Sequence, residues 1–183
     1  MRSKIILLVS CVVLLLRSST SRAEELKPGD PAPLFTAKTN SGAAFDLATR
    51  KGQWTVLYFY PKAGTSGCTK EAQGYRDNIA AIREQGAEVY GISTDTVESQ
   101  AGFSDDNHLG FTLLADPDST VVNAYGAKMP ILPIARRWTF IIGPDLKIRE
   151  IERDVDAAND AQRVAGEIAR LKSESASSAH PEN

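Results

Sequence analysis

The chain has 183 residues, of which 42% are hydrophobic and 24% are charged. This is an ordinary globular composition, and the length suits one domain with a sizeable core. The formal net charge is −2, and no run of basic residues provides the footprint of a nucleic-acid-binding protein. Composition and charge therefore favour a single globular domain and exclude nucleic acid as a partner.

The amino-terminal segment has the pattern of a signal peptide. Arg2 and Lys4 precede a mainly apolar block at residues 5–16, and residues 21–23 (Ser-Arg-Ala) fit a small-x-small cleavage pattern. The block is shorter than the roughly 20 residues that a membrane-spanning helix needs, although a retained anchor is the alternative. We therefore predict a signal peptide at residues 1–23, a periplasmic or secreted protein, and no membrane association after cleavage.

The predicted signal peptide determines how many cysteines the exported chain keeps. Cys11 lies within the predicted signal peptide, so the exported chain keeps Cys68 alone. A single cysteine in an oxidising compartment has no intramolecular disulfide partner. It is therefore either buried and inert or free and reactive.

The first half of the exported chain predicts a hairpin, a strand and a helix. Residues 34–37 and 44–47 flank a turn-rich stretch and are typical of a small hairpin. Residues 54–60 are nearly continuous in apolar and β-branched side chains, which indicates a strand covered on both faces. Pro61 ends this strand, and after a short loop the apolar period becomes helical from Cys68 onward. Cys68 thus falls in a first helical turn, where unpaired N–H groups and the helix dipole favour a thiolate.

The second half predicts a further alternation of strands and helices. We expect, in chain order, a strand at 88–93, a helix capped by Asp95, a strand at 111–115, a short helix through Tyr125, strands at 137–142 and 146–155, and a helix capped by Asp156. Residues 128–135 are apolar but contain two prolines, so they form either a folded-over loop or a partner surface. Residues 173–183 are rich in Ser, Ala and Glu and are predicted to be disordered.

This order of elements describes a central mixed β-sheet flanked by helices, with an N-terminal β-hairpin. We predict an α/β protein with a thioredoxin-like fold and one domain at residues 24–172. The two histidines have no second ligand nearby in the pattern, so neither a metal site nor a cofactor is predicted.

The loop that follows the central strand resembles a known active site. Residues 59–72, which read FYPKAGTSGCTKEA, are similar to the active-site loop of the peroxiredoxins, within the AhpC/TSA superfamily. The bacterioferritin-comigratory or peroxiredoxin Q branch is the most similar. Residues 115–118, 124–126 and 137–142 fall where that branch has similar segments, and the resemblance covers residues 27–172.

The resemblance implies a role for each of four catalytic residues. Cys68 is expected to be the peroxidatic nucleophile, and Arg137 is expected to hold its sulfur anionic and to polarise the peroxide. The Thr65 hydroxyl is expected to hydrogen-bond the thiolate and the incoming peroxide. Pro61 is expected to shelter the sulfur from water.

Two further residues are expected to support the site. Gly67 permits close approach to the sulfur because it lacks a Cβ. Glu71 falls on a family position that helps to hold the active-site network.

The implied activity is reduction of hydrogen peroxide and organic hydroperoxides through a sulfenic acid at Cys68. Many members of this branch carry a resolving cysteine five residues after the first, and here that position is Gln73. We therefore expect a one-cysteine enzyme, monomeric or homodimeric, whose sulfenic acid is reduced by an external thiol, either a thioredoxin-like protein or a small thiol. The alternative function is a non-catalytic binding or chaperone-like module on the same scaffold.

Overall fold

The computed structural model describes residues 25–178 of the chain, so the predicted signal peptide and residues 179–183 lie outside the described residues. Its strands are β1 (Thr36–Thr39), β2 (Ala44–Asp46), β3 (Trp54–Phe59), β4 (Ala87–Ser93), β5 (Thr112–Ala115), β6 (Trp138–Ile142) and β7 (Ile148–Glu152). Its α-helices are α1 (Ser66–Glu84), α2 (Val97–Asp106), α3 (Thr120–Ala124) and α4 (Asp160–Ser178), and a 3-10 turn spans Leu47–Arg50. No helix within this part of the chain has the length and apolar character needed to cross a bilayer.

The seven strands form one mixed sheet in the order β2-β1-β5-β4-β3-β6-β7. The central strands β3, β4 and β5 run parallel, whereas β6 and β7 on one side and β1 and β2 on the other are joined by antiparallel pairs. The predicted α/β architecture, its N-terminal hairpin and its strand-helix-strand crossover are therefore confirmed.

Central strand β3 is buried along its whole length because both faces of the sheet are covered. Leu57 and Phe59 point to one face, where they join a core that includes Val121, Val122 and other residues around α3. Alternate residues point to the other face, and these include Tyr58, which packs in a core with residues of α1, α2 and α4. Cys68 belongs to this second core, so the sulfur lies between α1 and the sheet.

Two helix starts differ from the predicted caps. Thr96, not Asp95, caps α2, since its side chain accepts a hydrogen bond from the Ser99 amide. Asp156 accepts from the Ala158 amide at 2.9 Å, but it closes a turn, and α4 begins only at Asp160. In both places several capping residues follow one another, and the sequence pattern does not show which of them has a tertiary partner.

The end of α4 also differs from the prediction. Disorder is predicted from Ser173, whereas the helix continues to Ser178. Arg170 pairs with Glu174 one turn later, and the Ser175 hydroxyl donates to the Leu171 carbonyl at 2.8 Å. The ion pair between residues four positions apart favours helix in a composition that otherwise suggests a tail, and the Ser175 hydroxyl is satisfied within the same helix.

The packing beneath the sheet predicts a large cost for one glycine substitution. A Cβ on Gly91 of β4 would lie 2.6 Å from the Tyr58 ring and 2.7 Å from Leu113. Gly91→Ala should therefore lower the free energy of unfolding by about 2 kcal/mol, the usual cost of overpacking a core. The measurement is urea denaturation of the two proteins.

Gly102→Ala is the matched control, because a Cβ on Gly102 of α2 meets nothing within 4 Å. In a helix interior, alanine is favoured over glycine by about 1 kcal/mol, so this variant should be as stable as wild type or more so. Equal stability of the Gly91→Ala variant and wild type would contradict the packing described for β4.

Candidate active site

The site is built around Cys68, the third residue of α1. The residue before the helix is Thr65, which has an extended backbone, and the first turn closes with a 2.8 Å hydrogen bond from the Thr69 amide to the Thr65 carbonyl. The Cys68 side chain is 1% exposed. Amides of the first turn lack partners within the helix, so this position favours a negatively charged sulfur.

Arg137 supplies a full positive charge to the same sulfur. Its Nη2 donates to Cys68 Sγ at 3.4 Å. The antiparallel pairing of β3 and β6 sets Phe59 opposite Trp138, so Arg137 lies beside the end of β3, where the loop to α1 begins. Of the two adjacent arginines, Arg137 is the one that reaches the sulfur.

Gly67 lets the guanidinium approach this closely. A Cβ on Gly67 would lie 3.2 Å from Arg137 Nη2, which is tighter than ordinary contact. The structure therefore gives a physical reason for glycine next to Cys68: with a Cβ here, the guanidinium would have to shift by a few tenths of an ångström.

Glu71 holds the other end of the guanidinium. Its Oε2 accepts from Arg137 Nη1, and its Oε1 has no hydrogen-bond partner among the described residues. The side chain is fully buried. Burial raises the pKa of Glu71 to about 8, although the charge of Arg137 acts in the opposite direction. At neutral pH the carboxyl is therefore mostly uncharged, and the charge of Arg137 is not cancelled next to Cys68.

Thr65 and Pro61 belong to the segment between β3 and α1, and the contacts that they make are not with the sulfur. The exposed Thr65 hydroxyl donates its one proton to the Lys62 carbonyl at 3.1 Å, so it does not donate to Cys68 as the resemblance implies. An exposed hydroxyl rotates to the nearest acceptor, and here that acceptor belongs to the loop itself. Pro61 lines an open groove together with Arg137. The catalytic roles of both residues stay predictions.

Asp95 positions the active-site loop. The sequence pattern indicates only a helix cap at this residue and does not reveal this role. Its carboxylate accepts from the Ala63 amide at 2.8 Å and from the Ser93 hydroxyl at 2.7 Å, which ties the loop to the end of β4. The pattern suggested a helix cap because the partner, Ala63, is distant in the chain.

Asp160 is a second residue that positions the site and that the sequence pattern does not reveal. This buried carboxylate accepts from the Tyr75 hydroxyl at 2.5 Å and from the Thr139 hydroxyl at 2.7 Å, and it pairs with Arg163. It thus connects α4 to α1, which carries Cys68, and to β6, which begins directly after Arg137. No local signal could have found it, because the tyrosine lies 85 residues away in the chain.

Gln73 occupies the position of the expected second cysteine. Its Nε2 donates to Asn107 Oδ1 at 3.0 Å, and Arg76 donates to the Asn107 carbonyl at 3.0 Å. Both bonds fasten α1 to the end of α2. Within residues 25–178, Cys68 is the free cysteine, and no group of three or more His, Cys, Asp or Glu side chains is placed to hold a metal ion.

The comparison with protein families agrees with this geometry. Residues 28–151 match the model of the AhpC/TSA family. The chain belongs to the AhpC/TSA family. Its active-site region, from Pro61 to Arg137, lies wholly within the matched residues.

Individual relatives place this AhpC/TSA protein in the predicted branch. It is 37% identical to peroxiredoxin Bcp of Escherichia coli (strain K12) over 140 residues, which cover 73% of this chain and 90% of the relative. It is 40% identical to the chloroplastic peroxiredoxin Q of Sedum lineare over 128 residues, which cover 69% and 68% of the two chains. The crystal structure of peroxidoxin BcpB from Mycobacterium tuberculosis superposes with a TM-score of 0.75 at 31% identity, covering 80% and 99% of the chains. The peroxiredoxin resemblance and the thioredoxin-like fold are confirmed.

The contact between Gly67 and Arg137 predicts a loss of thiolate in this peroxiredoxin. Gly67→Ala should slow alkylation of Cys68 by iodoacetamide about fivefold at pH 7, since only the thiolate reacts and a displaced guanidinium stabilises it less. The control is Gly74→Ala in the same helix, where a Cβ would have only ordinary contacts, at 3.9 Å. Similar alkylation rates in the two variants would show that Gly67 does not control the position of Arg137.

The buried Glu71 predicts a pH-dependent stability. Between pH 4.5 and about 8, Glu71 ionises in the unfolded chain but keeps its proton in the folded one, so the unfolded state binds fewer protons and stability falls as pH rises. Relative to Glu71→Gln, which does not titrate, the free energy of unfolding of wild type should fall by about 1–3 kcal/mol from pH 5 to pH 8.

Urea denaturation at a series of pH values measures this difference. Glu84→Gln is the matched control, because Glu84 is an exposed carboxylate at the far end of the same helix. A difference between wild type and Glu71→Gln that stays constant from pH 5 to pH 8 would mean that Glu71 is ionised throughout.

Proposed function

We propose that this peroxiredoxin is a thiol peroxidase that reduces hydrogen peroxide and organic hydroperoxides to water and alcohols. The observation that carries the proposal is the 3.4 Å contact between Arg137 Nη2 and the sulfur of Cys68. A buried thiol without a cation beside it would be a structural residue. Placed at a helix start and next to a guanidinium, the same thiol is a nucleophile.

The reaction follows from these two groups. The Cys68 thiolate attacks one oxygen of the peroxide, an S–O bond forms, and the O–O bond breaks. The departing oxygen takes a proton and leaves as water or an alcohol, while the sulfur is oxidised to a sulfenic acid. Arg137 stabilises the negative charge as it moves from the sulfur to the departing oxygen.

Regeneration of Cys68 requires an external thiol. Gln73 stands at the position of the resolving cysteine and is held by Asn107, so it supplies no sulfur. A small thiol or a thioredoxin-like protein forms a mixed disulfide with Cys68 and releases water, and a second thiol then frees Cys68. The protein acts as a monomer or homodimer. We further propose that it acts after export, on the support of the sequence pattern of residues 1–23.

A second candidate function is a binding or chaperone-like module. It is favoured by the loop between α3 and β6, where Ile131 is 92% exposed and Leu132 is 49% exposed. Neighbouring apolar side chains on a surface are typical of a protein contact. This function needs no reaction at Cys68, which separates it from the first.

Single-turnover consumption of hydrogen peroxide distinguishes the two functions. Wild type should consume about one equivalent per chain without added thiol, and Cys68→Ser should consume none, because serine is not ionised at neutral pH. Equal consumption by the two proteins would eliminate the enzymatic function and favour the binding module.

Intact mass after one equivalent of peroxide then identifies how the sulfur is resolved. We expect one added oxygen without thiol, and a thiol adduct or a covalent dimer once a thiol or a second chain reacts. An internal disulfide, seen as the loss of two hydrogens from the monomer, would contradict the one-cysteine assignment.

A further inference from the structure

A groove of about 510 Å³ ends at the active-site arginine. Its lining includes Pro61, Met129, Arg136, Arg137, Trp138 and Arg153. A second cavity of about 320 Å³ shares Arg136, Trp138 and Arg153 with it, so the two are adjacent. Arg137 lines the groove and also contacts Cys68 Sγ, so it is the residue that the groove and the sulfur share.

The groove is locally cationic in a chain whose net charge is negative. Three guanidiniums line it, from Arg136, Arg137 and Arg153, against the single carboxylate of Asp154. Opposite charge therefore attracts an anion to this surface more strongly than the net charge of the chain suggests.

The three guanidiniums are not equally available. Arg137 already donates hydrogen bonds to Cys68 and Glu71, and Arg153 pairs with Glu25 at 3.2 Å. Arg136 forms no ion pair with any of the residues at 25–178 and is half-buried. Its guanidinium lies 5.2 Å from the centre of the Trp138 ring, which restricts its orientation within the groove. Arg136 is thus an oriented charge that has no counter-ion in the part of the chain that the structure describes.

The rest of the lining is mostly apolar. Met129, Pro130 and Val155 provide surface that packs against carbon atoms rather than against water. A ligand that suits this combination is small, carries a carboxylate and has a carbon skeleton of a few atoms.

We propose that the groove binds the external thiol that regenerates Cys68, as a small thiol with a carboxylate that pairs with Arg136. This inference rests on the proposed function. Gln73 in place of a second cysteine makes an external thiol necessary, and the groove brings one to Arg137. The attacking thiolate is itself an anion, so the cationic lining raises its local concentration as well.

The step that the groove serves is the first reduction. The thiolate sulfur attacks the sulfur of the Cys68 sulfenic acid, an S–S bond forms, the S–O bond breaks, and hydroxide leaves and takes a proton to form water. A second molecule of the thiol attacks the mixed disulfide, which restores the Cys68 thiolate and releases a symmetric disulfide.

The test compares N-acetylcysteine with N-acetylcysteine amide, which differ by the carboxylate. Wild-type Cys68 is oxidised with one equivalent of hydrogen peroxide, and mass spectrometry follows formation of the mixed disulfide at equal thiolate concentrations. Wild type should react about fivefold faster with the acid, the effect of one half-exposed ion pair, and salt should reduce the preference. Arg136→Gln should abolish it.

Arg50→Gln is the matched control, because Arg50 also lies over an aromatic ring, 5.5 Å from the centre of Tyr90, but lines a different cavity. It should keep the wild-type ratio of rates. Comparing the acid-to-amide ratio of rates, rather than the rates themselves, cancels any general loss of reactivity in a variant. The salt dependence of this ratio in wild type tests the proposal even if a variant fails to fold.

Three results would overturn the proposal. The first is an acid-to-amide ratio near one in wild type at low salt. The second is an equal fall of the ratio in Arg136→Gln and Arg50→Gln. The third is an effect of Arg136→Gln confined to oxidation of Cys68 by carboxylate-bearing hydroperoxides, which would assign the groove to the substrate. If wild type does not gain one oxygen from peroxide, the proposed function itself is wrong. The oxidation of Cys68 that begins the experiment reveals this outcome before any thiol is added.

Discussion

The site depends on one guanidinium that is shared between a sulfur and a carboxyl group. Arg137 reaches Cys68 with one nitrogen and Glu71 with the other, and both partners belong to the first two turns of α1. The pairing of β6 with β3 brings the arginine to the helix start, and the absence of a Cβ at Gly67 leaves room for it. Because Glu71 is buried and mostly uncharged at neutral pH, its carboxyl group does not cancel the charge of Arg137 beside the sulfur.

A site of this kind needs rigid surroundings, since a few tenths of an ångström separate a contact from a clash between residue 67 and the Arg137 guanidinium. Asp95 fixes the loop before α1, Asn107 holds Gln73 in the middle of the helix, and Asp160 receives Tyr75 from its buried face. Asp95 and Asn107 lie at the two ends of α2, and Asp160 is the first residue of α4. The position of the sulfur is therefore set by the tertiary structure around α1 more than by the helix alone.

The sequence predicts the part of this arrangement that depends on local patterns. The buried strand, the loop after Pro61 and the helix containing Cys68 follow from apolar periodicity and turn residues, and the resemblance added Arg137. What the pattern could not show are contacts between distant residues: that Asp95 bonds to the loop instead of capping α2, that the Thr65 hydroxyl turns to the Lys62 carbonyl, and that Asp160 is buried. Local sequence patterns depend on residues that are neighbours along the chain, whereas the partners in these contacts are set by the packing of the sheet.

The place of α4 in the chain has a consequence for biosynthesis. Asp160 joins Tyr75 to Thr139, and α4 follows all the other described elements. A nascent polypeptide that has left the ribosome only as far as β7 already carries Cys68 and Arg137 but lacks the carboxylate that ties α1 to β6. The reactive thiol thus reaches its complete surroundings only in a chain that includes the carboxy-terminal helix.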